Sequence, residues 1–109
     1  MNTTALIRHM AHTYATCLRT VRKKNADYSG GNEDAFRTMR LVEVLGICPT
    51  EQGILSRIAE KLGRTCCLIN GQTQPAVEDE PVDQTLRDII SHCAILIAYR
   101  NTKKAGRFL

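Results

Sequence analysis

Aromatic residues are scarce in this 109-residue chain, which has three Tyr, two Phe and no Trp. Its core must therefore be aliphatic, and Ile, Leu, Val and Ala suit helices packed on helices. Regularly spaced cysteines are missing as well. Five Cys stand at 17, 48, 66, 67 and 93, an odd number with no Cys-x-x-Cys pair. That pattern excludes a disulfide scaffold or a zinc ribbon and reads as small apolar packers in a reducing compartment. The longest apolar stretch, at 93–99, falls far short of the roughly 20 residues that span a bilayer. Arg8, His9 and His12 interrupt the first apolar residues, which argues against a signal peptide and makes the cytoplasm the expected compartment. A strong excess of one charge is also absent. The net charge is +4, and the cations are spread out apart from Arg22-Lys23-Lys24 and Lys103-Lys104. This permits an anionic ligand but not the dense coating of duplex nucleic acid.

What is present is helical periodicity. With 43% hydrophobic and 24% charged residues, the composition fits one globular domain over 1–109. Apolar spacings of three and four predict helices over about 4–25, 34–45, 51–69 and 81–101. The first stripe is Leu6, Ile7, Met10, Tyr14, Cys17, Leu18 and Val21, with Thr3 or Thr4 as N-cap. Phe36, Met39, Val42 and Leu45 face inward on the second, which Gly46 ends, with Ile47 closing the hydrophobic contact of that cap. Thr50 caps the third, whose stripe is Ile54, Leu55, Ile58, Leu62, Cys66 and Ile69, and Asn70-Gly71 stops it. Pro81 opens the fourth, which buries Val82, Leu86, Ile89, Ile90, Cys93 and Ile97. The tail after Asn101 is basic, and Phe108-Leu109 could dock on a neighbouring subunit.

Three clusters could carry chemistry. Lys24, Asn25, Asp27 and Tyr28, then Asp34, Phe36 and Arg37, place a helix end, a Gly-bearing loop and a helix start in succession. The set combines N–H donors, two cations and a stacking ring, which suits a phosphate and a base. The competing reading makes Asn25 and Asp27 turn-formers and Tyr28 a lid. Arg57, Lys61 and Arg64 share one helix face, the other two lying within about 40° of rotation of Arg57. They could clamp phosphates, or be a solvated face relieved by Glu60. Thr85, Asp88 and His92 border an apolar stripe, where a carboxylate needs a partner. Lys24, Arg57 and Lys61 are candidates, and a structural ion pair is favoured over a catalytic Asp. His92 reads as a packed, hydrogen-bonded histidine, and His9 and His12 lack a third metal ligand. No phosphate-binding Gly loop, His-Glu-x-x-His or nucleophile motif occurs.

In order, Lys24-Asn25-x-Asp27-Tyr28, Asp34-x-Phe36-Arg37, Arg57-x-x-Glu60-Lys61-x-x-Arg64 and Asp79-Glu80-x-Val82-x-x-Thr85-Leu86-x-Asp88 resemble the nucleotide modification associated domain of type one, a family of small phage proteins. The resemblance covers about residues 18–98. It implies a helical fold and a link to nucleotides, with a distant similarity to the all-α nucleoside triphosphate pyrophosphatases. Those enzymes hold magnesium on paired Glu-x-x-Glu and Glu-x-x-Asp motifs. Here the third helix matches neither, Asp88 is the member kept on the fourth, and His92 stands where the resemblance leads one to expect Tyr.

The resulting expectation is an all-α, four-helix bundle-like, homo-oligomeric protein that holds a nucleotide or cyclic oligonucleotide without turnover. By analogy with small phage proteins, it would sequester a nucleotide immune signal in the cytoplasm of an infected bacterium, an anti-defence role. The expected ligand-binding residues are Lys24, Asn25, Asp27, Tyr28, Phe36, Arg37, Arg57, Lys61, Arg64 and Asp88. Lys24, Arg57, Lys61 and Arg64 would meet phosphates, Tyr28 or Phe36 would stack, and Asn25 would read a base edge. No catalytic residue, resident metal or other cofactor is called for, and neither a membrane nor duplex nucleic acid is an expected partner. Magnesium enters only under an alternative, a divergent pyrophosphatase using Glu60, Asp88 and Asp27 or Asp34. A second alternative is a protein-interaction module without a ligand.

Overall fold

The computed structural model describes residues 1–29, 34–71 and 82–106, and the side chains of all of these except 26–29. Among the described residues there are four helices and no strand: α1 (Thr3–Ser29), α2 (Leu41–Val44), α3 (Thr50–Ile69) and α4 (Val82–Lys104). The fold is all-α, as periodicity predicts. The expected Pro81 start, the loop after Gly71 and Phe108-Leu109 lie outside the described residues.

The helix ends differ from expectation for local reasons. Asn2 caps α1, its side-chain Oδ1 accepting from the Ala5 N–H at 2.9 Å, so Thr3 and Thr4 are already inside the helix. At 27 residues α1 is about 40 Å long, and it continues past the expected end at 25. The cations Arg22, Lys23 and Lys24 therefore sit in the helix body and not in its last turn. α4 likewise runs on to Lys104, into the expected tail, where Lys103 and Lys104 meet the negative helix end. Gly106 follows at φ 67°.

The expected second helix over 34–45 shrinks to the single turn Leu41–Val44. Asp34 accounts for this. Its Oδ1 captures the Phe36 N–H at 3.0 Å, and its carboxylate also pairs with the Arg40 guanidinium. A side chain that bonds its own backbone two residues on stabilises a turn in competition with helix. Segment 35–40 accordingly mixes three- and four-residue hydrogen bonds. At the far end, Gly46 adopts φ 76°, and Ile47 N donates to Val42 O at 2.9 Å while Gly46 N donates to Glu43 O at 3.0 Å. This is the Schellman arrangement that only glycine enters without strain. Leu45 and Ile47, expected to face inward and to close that cap, stay exposed.

Thr50 is the first residue of α3, not its cap. Pro49 occupies the capping position with φ −57° and ψ 148°, and the Thr50 N–H donates to Glu43 Oε1 at 3.1 Å. A carboxylate from α2 thus stands at the positive end of α3. Gly53 lets α2 approach: a Cβ there would lie 2.9 Å from Val42 Cγ2.

α3 and α4 run antiparallel, since Lys61 meets Asp88 while Glu51 meets Arg100 and Lys103. α1 joins α4 through its carboxyl-terminal half, where the Cys17 thiol donates to Arg87 O at 3.6 Å. Burial departs most from expectation. Among the described residues the buried apolar side chains are Cys17, Ile54 and Tyr99, joined by Thr50, Thr65 and Thr85. Leu55, Leu62, Ile69, Leu86 and Ile97, all expected in the core, are exposed, as are Leu6, Ile7, Met10, Tyr14 and Leu18 of α1. Cys66 and Cys93 are exposed with them. The helices face one another with a different side from the one that carries most of their large apolar groups.

Because Gly46 holds a left-handed conformation, Gly46→Ala is expected to destabilise the chain by about 1–2 kcal/mol, measured by urea unfolding. An unchanged midpoint would show that the cap contributes nothing.

Candidate functional site

Where α1, the turn 35–40, α2, α3 and α4 meet they enclose a cavity of about 380 Å³. Its polar lining is Lys24 and Asn25 from α1, Arg57 and Lys61 from α3, and Asp88, Ser91 and His92 from α4, with Thr20 and Thr38. Met39, Val42, Gly53 and Ile54 supply apolar wall.

Asp88 organises this space. Its carboxylate is only 13% exposed and lies 3.3 Å from Lys61 Nζ and 3.9 Å from Lys24 Nζ. Gln84 Nε2 donates to the same carboxylate at 3.1 Å, and Arg87 Nη2 steadies Gln84 Oε1 at 3.1 Å. One turn on, His92 Nδ1 is 2.7 Å from Asp88 O. A carbonyl can only accept, so Nδ1 carries the hydrogen and Nε2 is left as the ring's other polar atom. The lining therefore holds three cations, Lys24, Arg57 and Lys61, against the single carboxylate of Asp88. The excess of positive charge inside a concave wall favours an anion.

A second cavity of about 330 Å³ adjoins the first, lined by Leu18, Val21, Phe36, Met39, Ile95 and Ala98 with Arg22 and Asn25. Val21, Asn25, Ala35, Met39 and Ile95 border both spaces. Asn25 is held in this shared wall by its own amide, Nδ2 donating to Ala35 O at 2.9 Å. A cationic compartment thus opens beside an apolar one.

Of the residues singled out from the sequence, Lys24, Asn25, Arg57, Lys61 and Asp88 come together at the polar cavity. Phe36 lines the apolar one, its ring edge-on to Tyr99 with centroids 5.5 Å apart. Arg37 is exposed and Arg64 half-buried, and both stand outside the two linings. The side chains of Asp27 and Tyr28 lie outside the described residues. For the magnesium alternative, Glu60 is exposed and outside both linings, and Asp34 is engaged by Arg40. No group of three His, Cys, Asp or Glu comes together among the described residues. Ser91, Thr20, Thr38 and Met39 line the spaces without being among the site residues that the sequence singles out, while His92, read there as a packed, hydrogen-bonded histidine, bonds Asp88 O and also lines the polar cavity. The i, i+4 pair Asp88 and His92 is the available signal, because one helix face must carry both into the cavity.

Removing the carboxylate should cost more than removing either cation. Asp88→Ala is expected to lower stability by about 1–2 kcal/mol, the range of hydrogen bonds to a charged group discounted for partly exposed partners. Lys24→Ala, whose side chain is 54% exposed and 3.9 Å away, is expected to lose under about 0.5 kcal/mol. Equal losses in urea titrations would remove Asp88 from its organising position. No family model, curated protein or solved structure matches this chain.

Proposed function

We propose that the cationic cavity receives the phosphate of a nucleotide, that the adjoining apolar cavity receives its base, and that the chain holds this ligand without turnover. The supporting observation is the convergence of Lys24, Arg57 and Lys61 from two helices beside one carboxylate. A lone charged helix face would be solvated, whereas here cations from α1 and α3 converge on one concave wall around a carboxylate that is 13% exposed, which concentrates positive potential at a single point. In this reading Lys24, Arg57 and Lys61 meet phosphate oxygens, and Phe36 and Met39 border the base. Asn25, in the wall between the two spaces, reads the base edge. Asp88 keeps two ammonium groups in place for an incoming anion and is not itself a phosphate ligand. Each cavity is at the low end of the roughly 300–1,000 Å³ of ligand pockets, and a nucleotide divides between them. For a phage-borne chain, the ligand that gives this binding a purpose is a linear or cyclic nucleotide immune signal of the host, held away from its receptor.

The test is a thermal-shift panel of linear and cyclic nucleotides, followed by recovery of the ligand after heat denaturation. A ligand present at about 100 times its Kd should stabilise the chain by about 2.7 kcal/mol and be recovered intact. Lys61→Ala and Arg57→Ala should each weaken binding by about tenfold, or ~1.4 kcal/mol. Recovery of a hydrolysed ligand with magnesium present would instead make the chain a pyrophosphatase. No shift with any nucleotide would leave the cations as a solvated surface.

A further inference from the structure

We propose that the side of the α3–α4 hairpin turned away from the cavity is a dimerisation face, and that its occupant is the same face of a second copy. The face is built by register. At about 100° per residue, Leu55, Ala59, Leu62, Cys66 and Ile69 form a stripe on α3 about 100° from its inward side chains Ile54, Lys61 and Thr65. On α4, Leu86, Ile90, Cys93 and Ile97 form the equivalent stripe about 140° from Thr85, Asp88 and His92. Both rotations have the same sense along the chain. Because the helices are antiparallel, they bring the two stripes to the same side of the hairpin. The ion pair of Glu51 with Arg100 spans the helices at one end of that side.

Among the described residues this side is uncovered. Leu55 is 55% exposed, Leu62 53%, Ile69 64% and Ile97 62%. After Glu51, the charged residues of α3 are Arg57, Glu60, Lys61 and Arg64, and all fall on the remaining flanks. Between Leu86 and Ile97, α4 carries Arg87 and Asp88, and neither falls on the stripe. A helix flank meant for water normally carries charge, and monomers rarely leave continuous apolar patches beyond a few hundred Å².

Three observations select a second copy as the occupant. The stripes repeat at intervals of four, three and four residues, the spacing that packs helix on helix at about 20°. Small Ala59, Cys66 and Cys93 alternate with the larger Leu and Ile, so the face offers both knobs and holes to its own image. The stripes run for about 20 Å along a hairpin about 20 Å wide, a projected footprint on the order of 400 Å², which is of the same order as the ~800 Å² of accessible surface that each partner commits to a stable interface. Without charge, the stripes offer nothing that would steer a charged partner. Two hairpins joined in this way make a four-helix, two-layer core. The cavity lies on the opposite side, so the dimer stands or falls separately from nucleotide binding.

Light scattering and sedimentation of the full chain test the proposal. The wild type is expected at twice the chain mass of 12.2 kDa. Leu62→Lys and Ile97→Lys are each expected to weaken the dimer at least about 30-fold with unchanged helical circular dichroism. Leu6→Lys on α1, at a similarly exposed apolar site, is expected to leave it intact. Pulse labelling of the wild type with N-ethylmaleimide gives an independent measure, in which Cys66 and Cys93 should gain reactivity on dilution. A wild type that is monomeric up to about 100 µM would overturn the proposal. So would a dimer that survives both hairpin substitutions, or labelling of these cysteines that is independent of concentration.

Discussion

The carboxylate of Asp88 reaches ammonium groups from two other helices, Lys61 of α3 and Lys24 of α1, while sitting largely out of water. Without those partners an ionised Asp at this depth would be costly, and without the Asp two lysines would be crowded together in a concave wall. The pairing fixes the spacing of α4 to both neighbours at the point where the polar cavity forms. Gln84 and Arg87 extend the network along α4, and His92 closes it one turn later by bonding to the same residue's carbonyl. Asp88 therefore links α4 to both α1 and α3 at the point where the polar cavity opens.

Much of this was legible in the sequence, for reasons that can be named. The alternation of apolar residues gave three long helices, and Asn70-Gly71 marked the end of α3 because Gly71 alone could take φ +69° there. An Asp beside an apolar stripe demanded a cation, and Lys61 and Lys24 were among those within reach of a helix hairpin. The second helix was not legible in this way. Phe36, Met39 and Val42 have helical spacing, but the backbone N–H that Asp34 captures is a side-chain effect invisible to periodicity. Arg64 shares a helix face with Arg57 and Lys61, yet it stands outside the cavity that they line, since rotational alignment does not fix which neighbour covers which turn.

The largest mismatch concerns the core. Periodicity identifies the side of a helix that should avoid water, but not whether the cover comes from the same chain. On α3 and α4 the aliphatic stripes and the sides facing inside the chain point in different directions, and Thr50, Thr65 and Thr85 take the deep positions instead. The Thr65 hydroxyl bonds back to Lys61 O at 2.9 Å in the preceding turn, which lets this small polar residue sit where helices approach closely. The strongest hydrophobic signal in the sequence thus belongs to surfaces that are exposed among the described residues.

The length of α1 has a dynamic consequence. Its apolar stripe begins at Leu6, but the hydrogen bond that ties it to α4 lies at Cys17, and most side chains before Thr13 are exposed. Stretches of about 12–15 residues are marginal helices when nothing packs against them. Amide protons along α1 should therefore exchange with solvent in a gradient, quickly in the first turns and slowly from Cys17 to Asn25, so that one continuous helix contains two independently opening parts.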